Sequence, residues 1–119
     1  MLPRNPDFEG TFHLFADVRR GPVYSNYRPQ HAVHDNYQTS GHHNYLDREC
    51  LHPGDIAKVE AWLITPHIYP QCLWEGREIK VLEGAKHVGN LVVTQVFNEI
   101  LRVRPQDYRP VWVEPPDLD

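Results

Sequence analysis

Histidine and cysteine are the residues of this sequence that could bind a metal ion or act as a nucleophile. Eight histidines lie at positions 13, 31, 34, 42, 43, 52, 67 and 87, and the two cysteines are at 50 and 72. A structural zinc site needs such residues grouped at short ligand spacings. His31 and His34 fall on opposite faces of a predicted strand, as do His42 and His43 if that segment is extended. The pattern favours solvated or hydrogen-bonded histidines, and we expect no metal or cofactor.

A nucleophilic enzyme is the second kind of chemistry that the sequence could offer. Cys50 has His52 close by, with Asp47 and Asp55 flanking them. Catalytic partners are set by position in space, and nothing beyond sequence proximity favours these residues. The cysteines lack a Cys-x-x-Cys spacing, which favours free thiols in a reducing compartment over a disulfide. We therefore expect a protein that is not an enzyme.

Binding chemistry is better represented, in the stretch from Tyr24 to Gln30. Pro29 fixes its own φ and forces Arg28 out of the helical region, so the chain leaves this turn extended. Two tyrosines, an arginine and a glutamine offer stacking surface, a planar donor fork and an amide. Three arginines and a lysine could add a phosphate-binding cluster, or could be an ordinary charged surface. They are Arg19, Arg20, Arg28 and Lys86.

Length and charge limit the partners. With 119 residues the chain fits one domain, and its 12 basic residues are dispersed among 16 acidic ones for a net charge of -4. No overall field attracts nucleic acid or anionic lipid, so any RNA contact must be local. The first residues carry no apolar signal region, and no stretch approaches membrane-spanning length. We expect a soluble cytoplasmic protein with no membrane contact and no evident small-molecule substrate.

Short strands must position these residues. Eleven prolines and seven glycines, with no long run at period 3.6, predict an all-β fold. Six strands are expected, at residues 7–17, 28–36, 39–45, 56–64, 77–82 and 87–97, and their short, regular spacing fits a small antiparallel barrel or sandwich. Residues 1–6 are predicted to be an N-terminal arm, 47–54 a loop, and 99–119 a Pro/Arg-rich extended tail. That tail would lie on the barrel through Tyr108, Val111 and Trp112.

The strand at 28–36 is unusual because neither of its faces is strongly apolar. Gln30, Ala32 and His34 share one face, while His31, Val33 and Asp35 share the other. A strand this polar is expected at a barrel rim, at a sheet edge or against a partner surface.

Three motifs together carry a family resemblance. Residues 24–30 read Tyr-Ser-Asn-Tyr-Arg-Pro-Gln, 53–55 read Pro-Gly-Asp, and 83–89 read Glu-Gly-Ala-Lys-His-Val-Gly, followed by Val92-Val93. In order and spacing they resemble the C-terminal domain, the third, of elongation factor Tu over residues 7–98. The resemblance implies a six-stranded antiparallel, Greek-key-like β-barrel. No Gly-x-x-x-x-Gly-Lys-Ser/Thr loop occurs, so this chain should neither bind nor hydrolyse GTP.

The resemblance also implies a contact surface. In that family the domain performs no chemistry, packs on the GTPase domain and touches the T-stem backbone of aminoacyl-tRNA. Its tRNA-facing positions correspond here to Arg19, Arg20, Gln30, Thr39, Glu83 and Gly84. With Tyr27, Arg28 and Lys86 they form the predicted binding set. Because the sequence starts with methionine, we expect a stand-alone protein.

Two functions remain open. The first is a binding module that contacts tRNA or a translation factor. The alternative is a protein-protein module, such as an immunity or decoy protein, that presents an elongation-factor-like surface. In this sequence His31-Ala32-Val33-His34-Asp35-Asn36 replaces the aromatic, apolar run that follows the turn in the family. We therefore expect the strand containing it to mark a new partner.

Overall fold

The computed structural model describes residues 4–114, which form eight β-strands and three short 3₁₀ helices. The strands are β1 (Phe8–Leu14), β2 (Val23–Tyr24), β3 (Gln30–His34), β4 (Tyr37–Tyr45), β5 (Cys50–Leu51), β6 (Ile56–Leu63), β7 (Glu78–Glu83) and β8 (Lys86–Val96). The 3₁₀ helices are Pro66–Ile68, Glu99–Leu101 and Pro105–Asp107. Within the described ranges, no helix is long and apolar enough to cross a membrane.

Six strands close into an antiparallel barrel in the order β1-β6-β4-β3-β7-β8, and β8 pairs back onto β1. β3–β4 and β7–β8 are hairpins. The connections from β1 to β3 and from β6 to β7 join strands that are not neighbours, which gives the Greek-key-like arrangement. The predicted all-β fold with a closed six-stranded barrel is confirmed. Each of the six predicted strands overlaps an observed one.

The barrel core follows from period-2 alternation. Ala57, Val59, Ala61 and Leu63 of β6 all point inward and are buried, as their spacing predicts. Trp62 lies on the outer face yet is also buried, because the segment before β1 covers it and its Nε1–H donates to the Arg4 carbonyl at 2.7 Å.

Close approach of β8 to β1 requires a glycine at position 89. Gly89 pairs with Leu14, and a Cβ atom there would collide with the His13 carbonyl oxygen and the Phe12 ring. Only a residue without a side chain lets the two backbones meet at this point. Gly89 is the last residue of the third resemblance motif, so that motif has a packing role in this fold.

β3 lies between β4 and β7, which excludes the sheet edge among the three positions expected for this strand. Its inner face, His31 and Val33, is fully buried in the core. Its outer face is covered by the C-terminal segment of the same chain. His34 stacks on the Tyr108 ring at 5.5 Å and donates from Nδ1 to the Arg109 carbonyl at 3.0 Å. The polar pattern of this strand suggests an exposed face because histidine is usually found near solvent, but His31 and His34 are both buried here.

A small second sheet was not predicted. Val23 and Tyr24 of β2 pair with Leu51 and Cys50 of β5, so the interpretation of 47–54 as one loop is wrong at two residues. Strands of two residues are too short to show an alternating pattern.

The C-terminal segment packs on the barrel as far as the described residues extend. Tyr108 and Trp112 pack against the core, as predicted, whereas Val111 is 58% exposed. Leu101 is buried, and its carbonyl accepts hydrogen bonds from the amides of Cys72 and Leu73, both at 2.8 Å. Residues 1–3 of the predicted arm and 115–119 of the predicted tail lie outside the described residues.

Candidate functional site

The Glu83 carboxylate joins three separate segments at one end of the barrel. Glu83 is the last residue of β7, and its Oε2 accepts a hydrogen bond from the Tyr27 hydroxyl at 2.6 Å. The same oxygen accepts one from Arg19 Nη1 at 2.5 Å. The Arg19 guanidinium also lies over the Tyr27 ring, 5.6 Å from its centre. Arg19, Tyr27 and Glu83 therefore form one network, built from the β1–β2 loop, the turn before β3 and the β7–β8 hairpin.

The hairpin tip extends this network. Gly84 adopts a φ of 62°, which glycine tolerates at a tight turn, and its carbonyl accepts from Gln38 Nε2 at 2.8 Å. Lys86 donates from Nζ to the Val18 carbonyl. Arg20, next to Arg19, is exposed. We call the set Arg19, Arg20, Tyr27, Glu83, Gly84 and Lys86 the barrel-end corner.

The charges of the corner are only partly free. The Arg19 charge is balanced by Glu83, and both side chains are about one-third exposed. Arg20 has no carboxylate within 4.0 Å among residues 4–114. Burial, and then the hydrogen bond with Glu83, raise the pKa of Tyr27 above its ordinary value, so the phenol remains a donor at neutral pH. Within the corner, Glu83 therefore balances Arg19, whereas Arg20 has no carboxylate partner among the described residues.

The remaining predicted residues lie in three different places. Gln30 pairs with Leu82, next to Glu83, and donates from Nε2 to Ser40 Oγ at 2.8 Å, so it adjoins the corner. Arg28 is exposed and lines a groove on the barrel wall. Thr39 is only 4% exposed, and its hydroxyl donates to the Tyr69 oxygen at 3.0 Å. In this fold Thr39 faces inward and is not available to a partner.

A buried histidine pair lies beneath the corner and was missed by sequence reasoning. His31 Nε2 and His43 Nε2 are 2.8 Å apart, both rings are fully buried, and the edge of Tyr27 meets His43 with ring centres 5.9 Å apart. His31 Nδ1 faces the Thr39 carbonyl at 3.4 Å, so Nδ1 carries the proton of neutral His31 and His43 donates to His31. The sequence signal for this pair is that His31 and His43 both fall on the inward-facing positions of their strands.

Both histidines of this pair are neutral near pH 7. Desolvation lowers the pKa of His31 to about 4, although the Thr39 carbonyl opposes the shift. Desolvation, followed by repulsion from His31, holds the pKa of His43 well below its ordinary value. A charged imidazole in the core would lack a counter-ion. The pair should therefore make the fold more stable at neutral pH than in acid.

Among the residues of the cysteine-based alternative, His52 Nδ1 lies 3.7 Å from Asp55 Oδ2, and these two side chains are 64% and 42% exposed. Cys50 is half-buried and its backbone pairs with Tyr24, while Cys72 is buried and both thiols are free. Burial raises the pKa of the Cys72 thiol to about 12, so it is not a nucleophile at neutral pH. Over residues 4–114, no group of three His, Cys, Asp or Glu side chains could hold a metal ion.

A scan of the sequence against protein-family models finds no match.

Proposed function

We propose that this protein is a non-catalytic binding module that resembles the C-terminal domain of elongation factor Tu and contacts the translation apparatus in the cytoplasm through the barrel-end corner. One observation carries the proposal. The hydrogen bond from Tyr27 to Glu83 links two residues 56 positions apart in the sequence. They belong to the turn at 24–30 and the hairpin at 83–89, the two longer motifs that carry the resemblance.

The first candidate partner is tRNA. A phosphate at the corner would meet Arg20 and Lys86, with Arg19 held in place by Glu83. Contacts of this kind position a protein on the backbone without reading sequence, which suits a surface that receives many tRNAs. Binding through phosphates weakens steeply as salt rises, because bound cations are displaced from the nucleic acid.

The second candidate partner is a protein, and the charge state of the corner favours it. Glu83 neutralises Arg19, the Lys86 ammonium is tied to a backbone carbonyl, and the chain as a whole carries a charge of -4. Among the described residues of the corner, Arg20 and Lys86 are then the cations that no carboxylate balances, and two are few for a polyanion. A surface that presents both signs of charge, as the Arg19–Glu83 pair does, suits a protein partner that normally recognises the elongation factor, as an immunity or decoy protein requires.

Fluorescence anisotropy with labelled bulk tRNA tests the first candidate. We expect binding at 50 mM salt that weakens at least tenfold at 200 mM, and a further tenfold loss in Arg20→Glu. Lys80→Glu, which changes an exposed lysine on the β7 strand by the same charge, is the matched control. If no tRNA binds at 50 mM salt, the tRNA candidate is rejected and the protein candidate stands alone.

A further inference from the structure

A groove on the outer wall of the barrel lies between β4 and the end of β6, separate from the barrel-end corner. It is open to solvent and has a volume of about 250 Å³. Among residues 4–114, those that line it are Arg4, Arg28, Ser40, Gly41, His42, Trp62, Leu63 and Ile64. None of these residues belongs to the corner, and none is acidic.

The two arginines of the groove differ in their free charge. Arg4 donates from Nη1 and Nη2 to the two Asp7 oxygens at 2.7 and 3.1 Å, and from Nη2 to the Leu63 carbonyl at 2.6 Å. The buried Asp7 therefore balances the Arg4 charge. Arg28 is exposed and, within the described part of the chain, has no carboxylate within 4.0 Å. The groove thus presents one uncompensated guanidinium.

The groove also has apolar residues in the same lining as the Arg28 guanidinium. Trp62 lines the groove but is only 6% exposed, with its Nε1–H donated to the Arg4 carbonyl and its ring 6.2 Å from that of His42. Ile64, at the rim, is 69% exposed. The exposed apolar surface of the groove is therefore mainly that of Ile64, where a large apolar side chain gains burial on binding.

We propose that this groove binds a short protein segment in which a carboxylate side chain lies beside a large apolar one. A single free guanidinium matches one carboxylate, which it can bind through two parallel hydrogen bonds. The exposed Ile64 side chain, with the small exposed part of Trp62, contacts the apolar neighbour. The charge complementarity therefore selects an acidic, apolar peptide.

Two other ligand classes fit the groove less well. Pockets for small molecules and cofactors usually measure about 300–1,000 Å³ and enclose most of the ligand. The groove is smaller than this and open. A nucleic-acid backbone needs several free cations along its length, and of the described residues that line the groove only Arg28 carries a charge that no carboxylate balances. This proposal is independent of the proposed function, because neither the corner nor tRNA binding enters it.

Peptide display on the full chain tests the proposal. A random heptapeptide library is selected on the immobilised protein, and we expect enrichment of Asp or Glu adjacent to Leu, Ile, Phe or Trp. The most enriched peptide, labelled with fluorescein, should lose at least tenfold in affinity for Arg28→Glu. Arg20→Glu, the same change at an exposed arginine of the corner, should keep full affinity. The Trp62 indole N–H resonance should shift on binding.

Each remaining outcome overturns the proposal. Selection of basic peptides, or no enrichment over an uncoated surface, removes the predicted ligand class. Equal affinity of Arg28→Glu and the unsubstituted protein removes the predicted site. A shift of the Trp62 resonance by a ten-nucleotide oligothymidylate, without one by the peptide, assigns the groove to nucleic acid. Because Arg28 is exposed, circular dichroism of Arg28→Glu should match that of the unsubstituted chain.

Discussion

The Tyr27 hydroxyl donates to Glu83 Oε2 across 2.6 Å, and this contact fastens the turn before β3 to the tip of the β7–β8 hairpin. The acceptor also binds Arg19, so one carboxylate oxygen holds two donors from different loops. A hydrogen bond to a charged acceptor contributes more than one between neutral groups. The geometry of the corner therefore depends on Glu83 more than on either donor.

Removing the Tyr27 hydroxyl should destabilise the protein measurably. Tyr27→Phe leaves the half-buried carboxylate with one donor fewer, and we expect the free energy of unfolding in urea to fall by about 1.5 kcal/mol. Tyr24→Phe removes the hydroxyl of a tyrosine that is 60% exposed and serves as the control, with an expected change below about 0.5 kcal/mol. Equal effects of the two substitutions would contradict the assigned hydrogen bond.

The buried His31–His43 pair should make the fold sensitive to acid. The unfolded chain binds a proton at His31 near its ordinary pKa of 6.5, whereas the folded chain does so only near 4. The contribution of neutral His31 to the free energy of unfolding is therefore fully present above about pH 6.5, and it is lost as the pH falls towards 4. His31 alone should lower the free energy of unfolding by about 2 kcal/mol at pH 5.

Urea denaturation at pH 7 and pH 5 measures this loss, and His43 should add to it. In His31→Gln the group that titrates is absent, so the difference between the two pH values should shrink. An unchanged difference would show that other groups cause the acid sensitivity. The Cε1–H resonance of His31 gives a second readout, and it should remain that of a neutral imidazole at pH 5.5.

Gly89 should not tolerate a methyl group. Gly89→Ala places a Cβ against the His13 carbonyl and the Phe12 ring, and because backbone cannot move aside cheaply, we expect a loss of about 3 kcal/mol or failure to fold. Gly21→Ala is the matched control, since nothing lies within 4 Å of a Cβ built there. Thermal unfolding of both proteins checks the prediction, and similar melting temperatures would disprove the close approach of β8 to β1.

Trp112 should hold the C-terminal segment on the β3–β4 hairpin. Its ring stacks on Tyr37 at 4.5 Å, and Asn36 exchanges two hydrogen bonds with its backbone. Trp112→Ala should release the segment and raise hydrogen exchange at the Asp35 amide, which donates to the Pro110 carbonyl at 2.7 Å. Val113→Ala, at a 78% exposed position, should leave that amide protected. If the Asp35 amide is equally protected in both variants, Trp112 does not hold the C-terminal segment on the hairpin.

The β6 strand shows why much of the fold could be predicted from sequence. Every second residue of β6 is apolar, namely Ala57, Val59, Ala61 and Leu63. In a strand these residues share one face, and that face must point to the core. β3 shows where such reasoning fails. The buried His31 has its hydrogen-bond partners, the His43 ring and the Thr39 carbonyl, on the adjacent strand, and pairing across strands is not visible in a single segment.

Part of the candidate site could also be predicted from the sequence. Glu83, Gly84 and Lys86 are adjacent along the hairpin, and their grouping with Arg19 and Tyr27 follows the resemblance. That Glu83 neutralises Arg19 was not foreseen, because an ion pair across 64 residues depends on the barrel closure. The inward position of Thr39 and the separate groove at Arg28 likewise depend on the register of β4 with its neighbours.

Co-isolation from the native source tests the central claim, that the barrel-end corner binds a component of the translation apparatus, most directly. The unsubstituted chain, Arg20→Glu and Lys80→Glu are used as baits in parallel, and bound RNA and proteins are quantified with and without ribonuclease. We predict a translation-related partner, tRNA or protein, that is reduced at least tenfold with Arg20→Glu and retained with Lys80→Glu. The same partners in equal amounts on all three baits, or none on any of them, would contradict the claim.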